Sequence, residues 1–411
     1  MKNFNFSALL ATRFLYTVAI QIQAVVLGWQ MYILTHDPLF LGLVGLAEAI
    51  PALGFALFSG YIVDRRHPLL VLRVVMFLGL LSGVILWVAH SPWVTLSLQE
   101  HIWVLFISAF LTGVVRSFFH PAIFAIVPRI LPREQLSRGS AWMTSSFVVA
   151  HISGSALGGI LFGWVGIRTT SFFLSITVLC ALLAVFLVRM FPHINKVKLN
   201  SNPLRKELFL GAIFVFKHPI LLPALSLDML SVLFGGVTAL LPVYASEILF
   251  LGPKGLGLLR AAPALGAAIV SLCLTRIELH RHAGRWLLWA VSGFGLSILV
   301  FSVSRNVALS FLALGLSGAF DSVSAVIRSA VVQLSSKEEI RGRISAINMI
   351  FISSSNELGA FESGLAARLM GTMPSVVFGG CVCLLTVGLI AILCPKLRQL
   401  DMNDLISPSQ T

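Results

Sequence analysis

Several ionisable side chains stand inside long apolar runs of this sequence, where they could bind a charged cargo. Arg116 and His120 are four residues apart, which places them on one face of a helix. Asp321 and Arg328 are seven apart, two helical turns, and also share a face. If these faces line a cavity, its arginines could hold a carboxylate or a phenolate, while aspartates would offset part of the arginines' positive charge. The candidate cargo-binding residues are Arg13, Arg116, His120, Asp228, Asp321 and Arg328.

These charges also have a purely structural interpretation. An ionisable group inside a membrane is costly, so it usually faces protein or water and marks a functional site. The alternative is that each group belongs to a buried ion pair that positions helices. Both interpretations stay open for Arg328, whereas for Arg116 we favour the functional one.

Glutamates in the apolar runs could carry protons. A carboxyl group in a medium of low dielectric favours its neutral form and can titrate near neutrality. Glu357 and Glu362 are five residues apart, which turns a helix by about 140°, so the two cannot both face one point. We favour Glu357, which lies nearer the middle of its apolar run. The other candidates are Glu362, Glu48 and His151, although His151 is more commonly a hydrogen-bonded interior histidine.

The elements that carry these residues must be membrane-spanning helices. The chain has 411 residues, of which 57% are hydrophobic and 11% charged, and its mean hydropathy is +0.95. A soluble domain carries about 25% charged residues, so the solvent of this chain is lipid. The sequence predicts twelve spans, at residues 7–34, 39–63, 69–90, 102–128, 137–164, 168–189, 220–249, 255–276, 285–304, 307–334, 343–370 and 374–394.

The predicted fold is all-α, with two six-helix halves. The interiors of spans 3, 6, 9 and 12 carry no charge, so every third span is apolar. This pattern predicts four three-helix units, in which the first helix of each lines a polar cavity and the third faces lipid. We divide the chain into an N-terminal half (1–190), a cytoplasmic linker (191–218), a C-terminal half (219–396) and a cytoplasmic tail (397–411), which we expect to be disordered.

The distribution of Lys and Arg predicts the orientation. If the N-terminus is cytoplasmic, 21 of these 29 residues lie in or near cytoplasmic segments, five on the opposite side and three within spans. Because Lys and Arg are enriched in cytoplasmic loops, both termini should be cytoplasmic. The apolar run from Phe14 to Leu34 has no cleavage site after a short apolar region, so we expect a first span and not a signal peptide.

Other classes of function have little support in the sequence. The net charge of +13 comes in short clusters between apolar runs, which argues against a nucleic-acid interface. The five cysteines lie in apolar segments without metal-ligand spacing, so we expect packed thiols, no metal and no cofactor. Phosphate-loop, nucleophile-elbow and HExxH patterns are missing, so we expect a protein that is not an enzyme and draws on an ion or cargo gradient.

Four stretches resemble motifs of the major facilitator superfamily. GYIVDR at 60–65 is similar to the signature after span 2, although RHP at 66–68 stands where a glycine and further basic residues are usual. LTGVVR at 111–116 resembles the arginine motif of span 4. GSALGG at 154–159 resembles the span-5 motif of antiporters, with serine in place of the usual proline. Residues 342–371 resemble the branch that contains the enterobactin exporter.

The resemblance implies that the loop after span 2 is a cytoplasmic gate. Gly60 would let span 2 approach span 11 closely. Asp64 would pair with a basic side chain of the loop after span 4, or lie near a helix N-terminus, where a carboxylate gains up to about 1–2 kcal/mol. The alternative is that Arg65 and Arg66 only anchor the topology. The implied gate residues are Gly60, Asp64, Arg65, Arg129, Arg133 and Arg138.

Glycines in span 5 are a further candidate feature. Gly154, Gly158 and Gly159 are spaced so that they lie on one helix face and could let span 5 pack closely against the other half. Tight packing without any role in antiport is equally compatible with this spacing.

We therefore expect a superfamily transporter that exports a small amphiphilic anion, a siderophore or a drug, across a bacterial inner membrane by alternating access, in exchange for protons. The first alternative is an importer, for example of a ferric siderophore or a lysophospholipid. The second is a non-transporting receptor or scaffold, which the charges inside the spans disfavour. The expected partners are the cargo, protons and the lipid bilayer, with the protein a monomer that binds no nucleic acid.

Overall fold

A computed structural model of the chain describes residues 4–189, 212–274, 281–335 and 341–402. Within these ranges the protein is helical and has no strand. Most of the predicted linker and the tail beyond residue 402 lie outside the described residues. The principal helices are α1 (Phe4–Thr35), α2 (Pro38–Arg65), α3 (Pro68–Ala89), α4 (Leu98–Ile130), α5 (Leu136–Leu187), α6 (Leu221–Gly235), α7 (Gly252–Leu274), α8 (Ala283–Val303), α9 (Val307–Leu334), α10 (Arg341–Met370), α11 (Thr372–Leu393) and the short α12 (Pro395–Arg398).

Several helices begin where a polar side chain satisfies free backbone N–H groups. The Asp37 carboxylate accepts a hydrogen bond from the first turn of α2 at 2.9 Å, and Pro38 occupies the first helical position, where no N–H is needed. Ser97 and Glu100 form a capping box at the start of α4. Asn306 accepts two backbone hydrogen bonds at the start of α9. These local signals separate helices that would otherwise merge into one apolar run.

Two irregular places shape the longer helical segments. Gly166 has φ 73° and ψ 178°, a backbone conformation that favours glycine, and it breaks α5 between predicted spans 5 and 6. After α6 the chain continues through a 3-10 turn (Thr238–Leu240), a helical turn (Leu241–Val243) and a π-helical turn (Tyr244–Ile248). π-Helical turns occur frequently at functional sites, so the end of predicted span 7 is a candidate for one.

The membrane class of the fold is confirmed. Ten segments of the described chain are long and apolar enough to cross a membrane. The number differs from the predicted twelve because α5 joins two predicted spans in one segment and the more polar α10 is not among the ten. Large apolar side chains such as Phe77, Leu183 and Leu389 are exposed, as expected where lipid is the solvent. The exact count of spans stays a prediction.

Two compact units divide the described residues. The first comprises Met1–Asn195 with Ala239–Ala261, and the second comprises Lys196–Thr238 with Ala262–Thr411. In the first unit α1 packs on α5, and α2 packs on α4. In the second unit α8 packs on α9 and α11, and α6 packs on α10 and α11. The predicted halves follow chain order and stay a prediction, whereas by contacts the segment 239–261 belongs with the first unit.

Candidate functional site

An ion pair in the first unit joins two of the predicted site residues. Arg116 Nη1 lies 3.0 Å from Glu48 Oε2, and the two side chains keep 38% and 17% of their exposure. Gly113, about one turn before Arg116, brings the helices together, because a Cβ at Gly113 would clash with the backbone of Glu48. Backbone contact between α2 and α4 thus places a carboxylate and a guanidinium side by side, with the pair still accessible.

A tyrosine of α1 lies against this pair. The rings of Tyr16 and Phe119 are in tilted contact, with their centroids 4.2 Å apart. Tyr16 is within electrostatic range of both Arg116 and Glu48. Its side chain is almost completely buried, and its hydroxyl has no hydrogen-bond partner in the described part of the chain. Tyr16 was not among the residues predicted from the sequence.

Arg13 and His120 extend the positive side of this cluster. The Arg13 guanidinium lies 5.5 Å from the centre of the Phe147 ring, a cation–π contact between α1 and α5. His120 is within electrostatic range of Arg13 and Arg116. The structure therefore brings together three of the predicted cargo residues, all of them in the first unit.

Arg260 and His151 complete the cluster. Arg260, in the first half of α7, is within electrostatic range of Glu48 and of His151. Glu48 thus interacts with two arginines, Arg116 and Arg260. His151 Nδ1 is buried and has no hydrogen-bond partner among the described residues. With Arg13, the cluster holds three arginines and one glutamate, so its balance is positive.

An internal repeat could have identified Arg260 from the sequence. GLAEAIPALG at 45–54 and GLLRAAPALG at 257–266 share most residues, and they place Arg260 where the first copy has Glu48. LTGVVR at 111–116 and LSGAFD at 316–321 place Asp321 where the first copy has Arg116. Repeats of this kind are common in transporters. The second copy therefore carries the same two positions with the charges reversed.

The repeat is also visible in the packing of the second unit. Gly318 corresponds to Gly113, and Pro263 corresponds to Pro51. A Cβ at Gly318 would clash with the backbone of Pro263, just as a Cβ at Gly113 would clash with α2. The same small residue therefore permits the same close helix contact in both units.

A different kind of ion pair lies in the second unit. Arg328 of α9 pairs with Asp228 of α6, and the side chains keep only 6% and 8% of their exposure. Asp321, seven residues before Arg328, has an exposed side chain. Burial favours a helix-positioning role for Asp228 and Arg328, the alternative left open for Arg328. A cargo-binding role for the three residues stays a prediction.

The two glutamates of α10 differ in burial. Glu357 is 6% exposed, whereas Glu362 is partly exposed. Between them a Cβ at Gly359 would lie 2.8 Å from the backbone oxygen of Leu233, so α10 and α6 are in close contact here. Ser363 donates a hydrogen bond to the Gly236 backbone oxygen at 2.9 Å. This contact fixes α10 against α6, and the proton-coupling roles stay predictions.

The predicted cytoplasmic gate is only partly described. A Cβ at Gly60 would meet no atom of the described residues within 4 Å, and its expected approach to span 11 stays a prediction. The side chains of Asp64 and Arg133 lie outside the described residues. Arg65 lies over the ring of Tyr61, 4.4 Å from its centre. The remaining gate candidates, Arg129 and Arg138, are exposed.

The span-5 glycines pack closely, although two of them meet a different partner from the one expected. A Cβ at Gly154 or Gly158 would lie 2.8 or 2.9 Å from backbone atoms of α1, within the N-terminal half. A Cβ at Gly159 would lie 2.6 Å from a backbone oxygen of α7. The first two glycines therefore hold α5 against α1, and Gly159 alone serves a contact with α7. Their role in antiport stays a prediction.

A second polar contact of the first unit was missed from the sequence. The Tyr32 hydroxyl donates a hydrogen bond to the Glu247 carboxylate, which the π-helical turn presents. The Lys254 ammonium lies 5.3 Å from the centre of the Trp164 ring. These contacts tie the end of α1, and the part of α5 just before its break at Gly166, to the segment 239–261.

Metal-binding geometry is not found in the part of the chain that the structure describes. No three His, Cys, Asp or Glu side chains of that part converge as a metal site requires. The five cysteines are free thiols, and of these only Cys383 is fully buried. The polar cluster of the first unit consists of guanidinium groups with one carboxylate, one phenol and two imidazoles, and its cargo-binding role stays a prediction.

The family of the chain follows from its sequence profile. The profile of the Major Facilitator Superfamily matches residues 9–360. The chain belongs to this superfamily, and it is a multi-pass membrane transporter and not an enzyme. This confirms the resemblance drawn from the motifs.

Its curated relatives are distant but cover most of the chain. The enterobactin exporter EntS of Shigella boydii serotype 4 (strain Sb227) is 22% identical over 96% of this chain and 92% of its own length. The staphyloferrin A transporter of Staphylococcus aureus (strain NCTC 8325 / PS 47) is 23% identical over 79% and 80%. The uncharacterised MFS-type transporter YvqJ of Bacillus subtilis (strain 168) is 25% identical over 70% and 69%.

Solved structures share the fold. A POT family transporter in complex with 5-aminolevulinic acid superimposes with a TM-score of 0.75 at 13% identity, over 95% of this chain and 96% of the other. A D-xylose–proton symporter gives 0.73 at 11% identity, over 97% and 98%. At these identities the likeness establishes the superfamily fold alone.

Proposed function

We propose that the chain exports a small amphiphilic anion of siderophore or drug type across a bacterial inner membrane, by alternating access and in exchange for protons. The observation that carries the proposal is that Glu48 pairs with Arg116 and lies within electrostatic range of Arg260. The surrounding cluster has more arginine than carboxylate, so an anionic group of the cargo would supply the missing negative charge. A guanidinium fork is suited to a carboxylate or a phenolate.

The relatives support the cargo class. Two of them are named for siderophores, enterobactin and staphyloferrin A, and both are similar over most of the chain. In this proposal both termini are cytoplasmic, the protein works as a monomer, and the cargo leaves the cytoplasm.

The buried carboxyl of α10 supports proton exchange. Glu357 is 6% exposed and lies where α10 and α6 are in close contact, so its carboxyl group is shielded from bulk water. Antiport requires that cargo binding and protonation exclude each other. We assign this role to Glu357, with Glu362, Glu48 and His151 as the other candidates.

Proton-coupled uptake is the second candidate, and Glu48 is the observation that favours it. An anion that takes the place of Glu48 beside its two arginines would leave this carboxylate without counter-charge. Its affinity for a proton would then rise, so that cargo and proton bind together. When cargo and proton bind together, protons that flow into the cell down their gradient carry the cargo inwards.

The sign of proton exchange on cargo binding tests the proposal. Purified protein in weakly buffered detergent receives enterobactin, staphyloferrin A and a lipophilic anionic drug, and binding is followed in parallel by calorimetry. We expect proton release in the wild type and none in Glu357→Gln. Proton uptake that disappears in Glu48→Gln would support the symport alternative. Absence of binding by every anion in the panel would contradict an anionic cargo.

Direction requires closed vesicles. Protein reconstituted in one orientation is given an imposed pH gradient and labelled cargo on one side. Export by exchange predicts that cargo moves against the direction of proton flow. Cargo that accumulates with the protons would replace the export proposal by uptake, and no movement under any gradient would favour the receptor or scaffold alternative.

A further inference from the structure

Tyrosine is rare in this chain, and one tyrosine hydroxyl is buried without a partner. The sequence has 30 phenylalanines and four tyrosines. Tyr16 is 3% exposed, and its Oη has no hydrogen-bond partner in the described part of the chain. A buried hydroxyl without a partner is destabilising, whereas phenylalanine would fill the same space without that cost.

Tyr32 on the same helix shows the ordinary use of a buried tyrosine. Its side chain is 2% exposed, and its hydroxyl donates to the Glu247 carboxylate. Tyr16 has a carboxylate within electrostatic range, Glu48, yet it makes no hydrogen bond to it. Glu48 instead faces Arg116 at 3.0 Å. The Tyr16 hydroxyl is therefore a free donor beside a charged pair.

The ring of Tyr16 is held in place by its neighbours. It packs at a tilt on Phe119, with the centroids 4.2 Å apart, and Phe119 in turn makes a T-shaped contact with the His120 ring at 5.7 Å. Because the ring is packed, the direction of its hydroxyl is set before any ligand arrives. A donor fixed in this way discriminates strongly between ligands that can accept a hydrogen bond and those that cannot.

We propose that Tyr16 is a specificity-determining residue whose hydroxyl donates a hydrogen bond to an anionic oxygen of the cargo, a carboxylate or a phenolate, while Arg116 holds the charge of that group. This inference rests on the proposed function, because it requires an anionic cargo at the cluster of the first unit. The cargo oxygen lies beside Arg116 and accepts a hydrogen bond from the free phenol at the same time.

The test is Tyr16→Phe, with Tyr61→Phe as the matched control. Both variants remove one hydroxyl from a tyrosine of the first unit, and Tyr61 lies at the far end of α2, against Arg65. Thermal unfolding is measured without ligand, and the Kd is measured for enterobactin, staphyloferrin A and 2,3-dihydroxybenzoate. We expect Tyr16→Phe to keep or raise the Tm and to weaken binding by about 10-fold or more, because a hydrogen bond to a charged group is lost. Tyr61→Phe should change neither quantity.

The outcomes separate this inference from the proposed function. Anion binding that is equal in wild type and Tyr16→Phe overturns the role of Tyr16 and leaves the proposed function standing. A Tm that falls in Tyr16→Phe shows that the hydroxyl stabilises the fold, and also overturns the inference. If the wild type binds none of the three anions, the proposed cargo class fails, and the role of Tyr16 fails with it.

Discussion

Glu48–Arg116 and Asp228–Arg328 are both ion pairs between neighbouring helices of a membrane protein, yet their surroundings differ. In the first unit the side chains of Arg116 and Glu48 keep 38% and 17% of their exposure. In the second unit those of Arg328 and Asp228 keep 6% and 8%. An accessible pair can exchange one partner for an incoming anion, whereas a buried pair can only be broken. Exposure, and not the presence of charge, is therefore the property by which we propose to separate a cargo site from a structural link.

The largest effect expected from this comparison is on stability, in the buried pair. Asp228→Ala leaves the Arg328 guanidinium buried without a counter-charge, which costs about 3–5 kcal/mol. We expect little folded protein in the membrane and a large fall in the Tm of what is purified.

The double variant Asp228→Leu with Arg328→Met is the control. Replacing both members of a buried pair by apolar residues is commonly neutral or stabilising, so most of the lost stability should return. If Asp228→Ala alone unfolds no more easily than the wild type, the pair is not structural. The predicted cargo-binding role of Asp228 and Arg328 would then be favoured.

The next effect concerns the close contact that builds the accessible pair. Gly113→Val places a side chain where the backbone of Glu48 lies, and overpacking of this kind costs about 1–3 kcal/mol. The helices α2 and α4 should separate, and cargo affinity should fall together with the Tm.

Gly60→Val is the matched variant, in the same helix as Glu48 but in open space. Its effect on stability should stay within about 0.5 kcal/mol. Equal Tm values for the two variants would show that the contact at Gly113 does not hold the pair.

Removing the charge of the accessible pair, Glu48–Arg116, should have a small effect on stability and a large effect on transport. Glu48→Gln removes the charge from a partly exposed side chain, so its Tm should stay near that of the wild type, because exposed pairs contribute about 0–1 kcal/mol. Transport in vesicles should be lost or uncoupled from the proton gradient. Normal coupled transport in this variant would make the first pair as structural as the second.

The sequence predicted the helical membrane class and the superfamily correctly, because hydropathy and short motifs need no knowledge of packing. It also singled out Arg13, Arg116 and His120, which the structure brings into one cluster. It ranked Glu357 above Glu48 by position along the apolar run, whereas the ion pair of Glu48 with Arg116 is visible only in the fold. Tyr16 could not be predicted from the sequence, because three-dimensional packing decides whether a buried hydroxyl finds a hydrogen-bond partner.

The boundary between the two units likewise could not be predicted from the sequence. The segment 239–261 follows α6 in the chain, and its apolar composition gave no reason to separate it from the C-terminal half. Contacts of Tyr32 with Glu247 and of Trp164 with Lys254 assign it to the first unit instead. Arg260 lies in this segment, so its place beside Glu48 could only be anticipated from the internal repeat.

The smallest effect, and the sharpest refinement, concerns Arg260. Arg260→Lys keeps the charge beside Glu48 but replaces a planar fork by a single ammonium, so we expect an unchanged Tm and a several-fold weaker binding of carboxylate cargo. Arg260→Gln, which also loses the charge, should weaken binding further. Because the repeat puts Glu48 at the equivalent position of the first copy, Arg260→Glu would give both copies a carboxylate and should abolish anion binding while the protein still folds. Undiminished binding in Arg260→Glu would mean that Arg116 alone holds the charge of the anion. The proposed site would then consist of the Glu48–Arg116 pair and Tyr16, without Arg260.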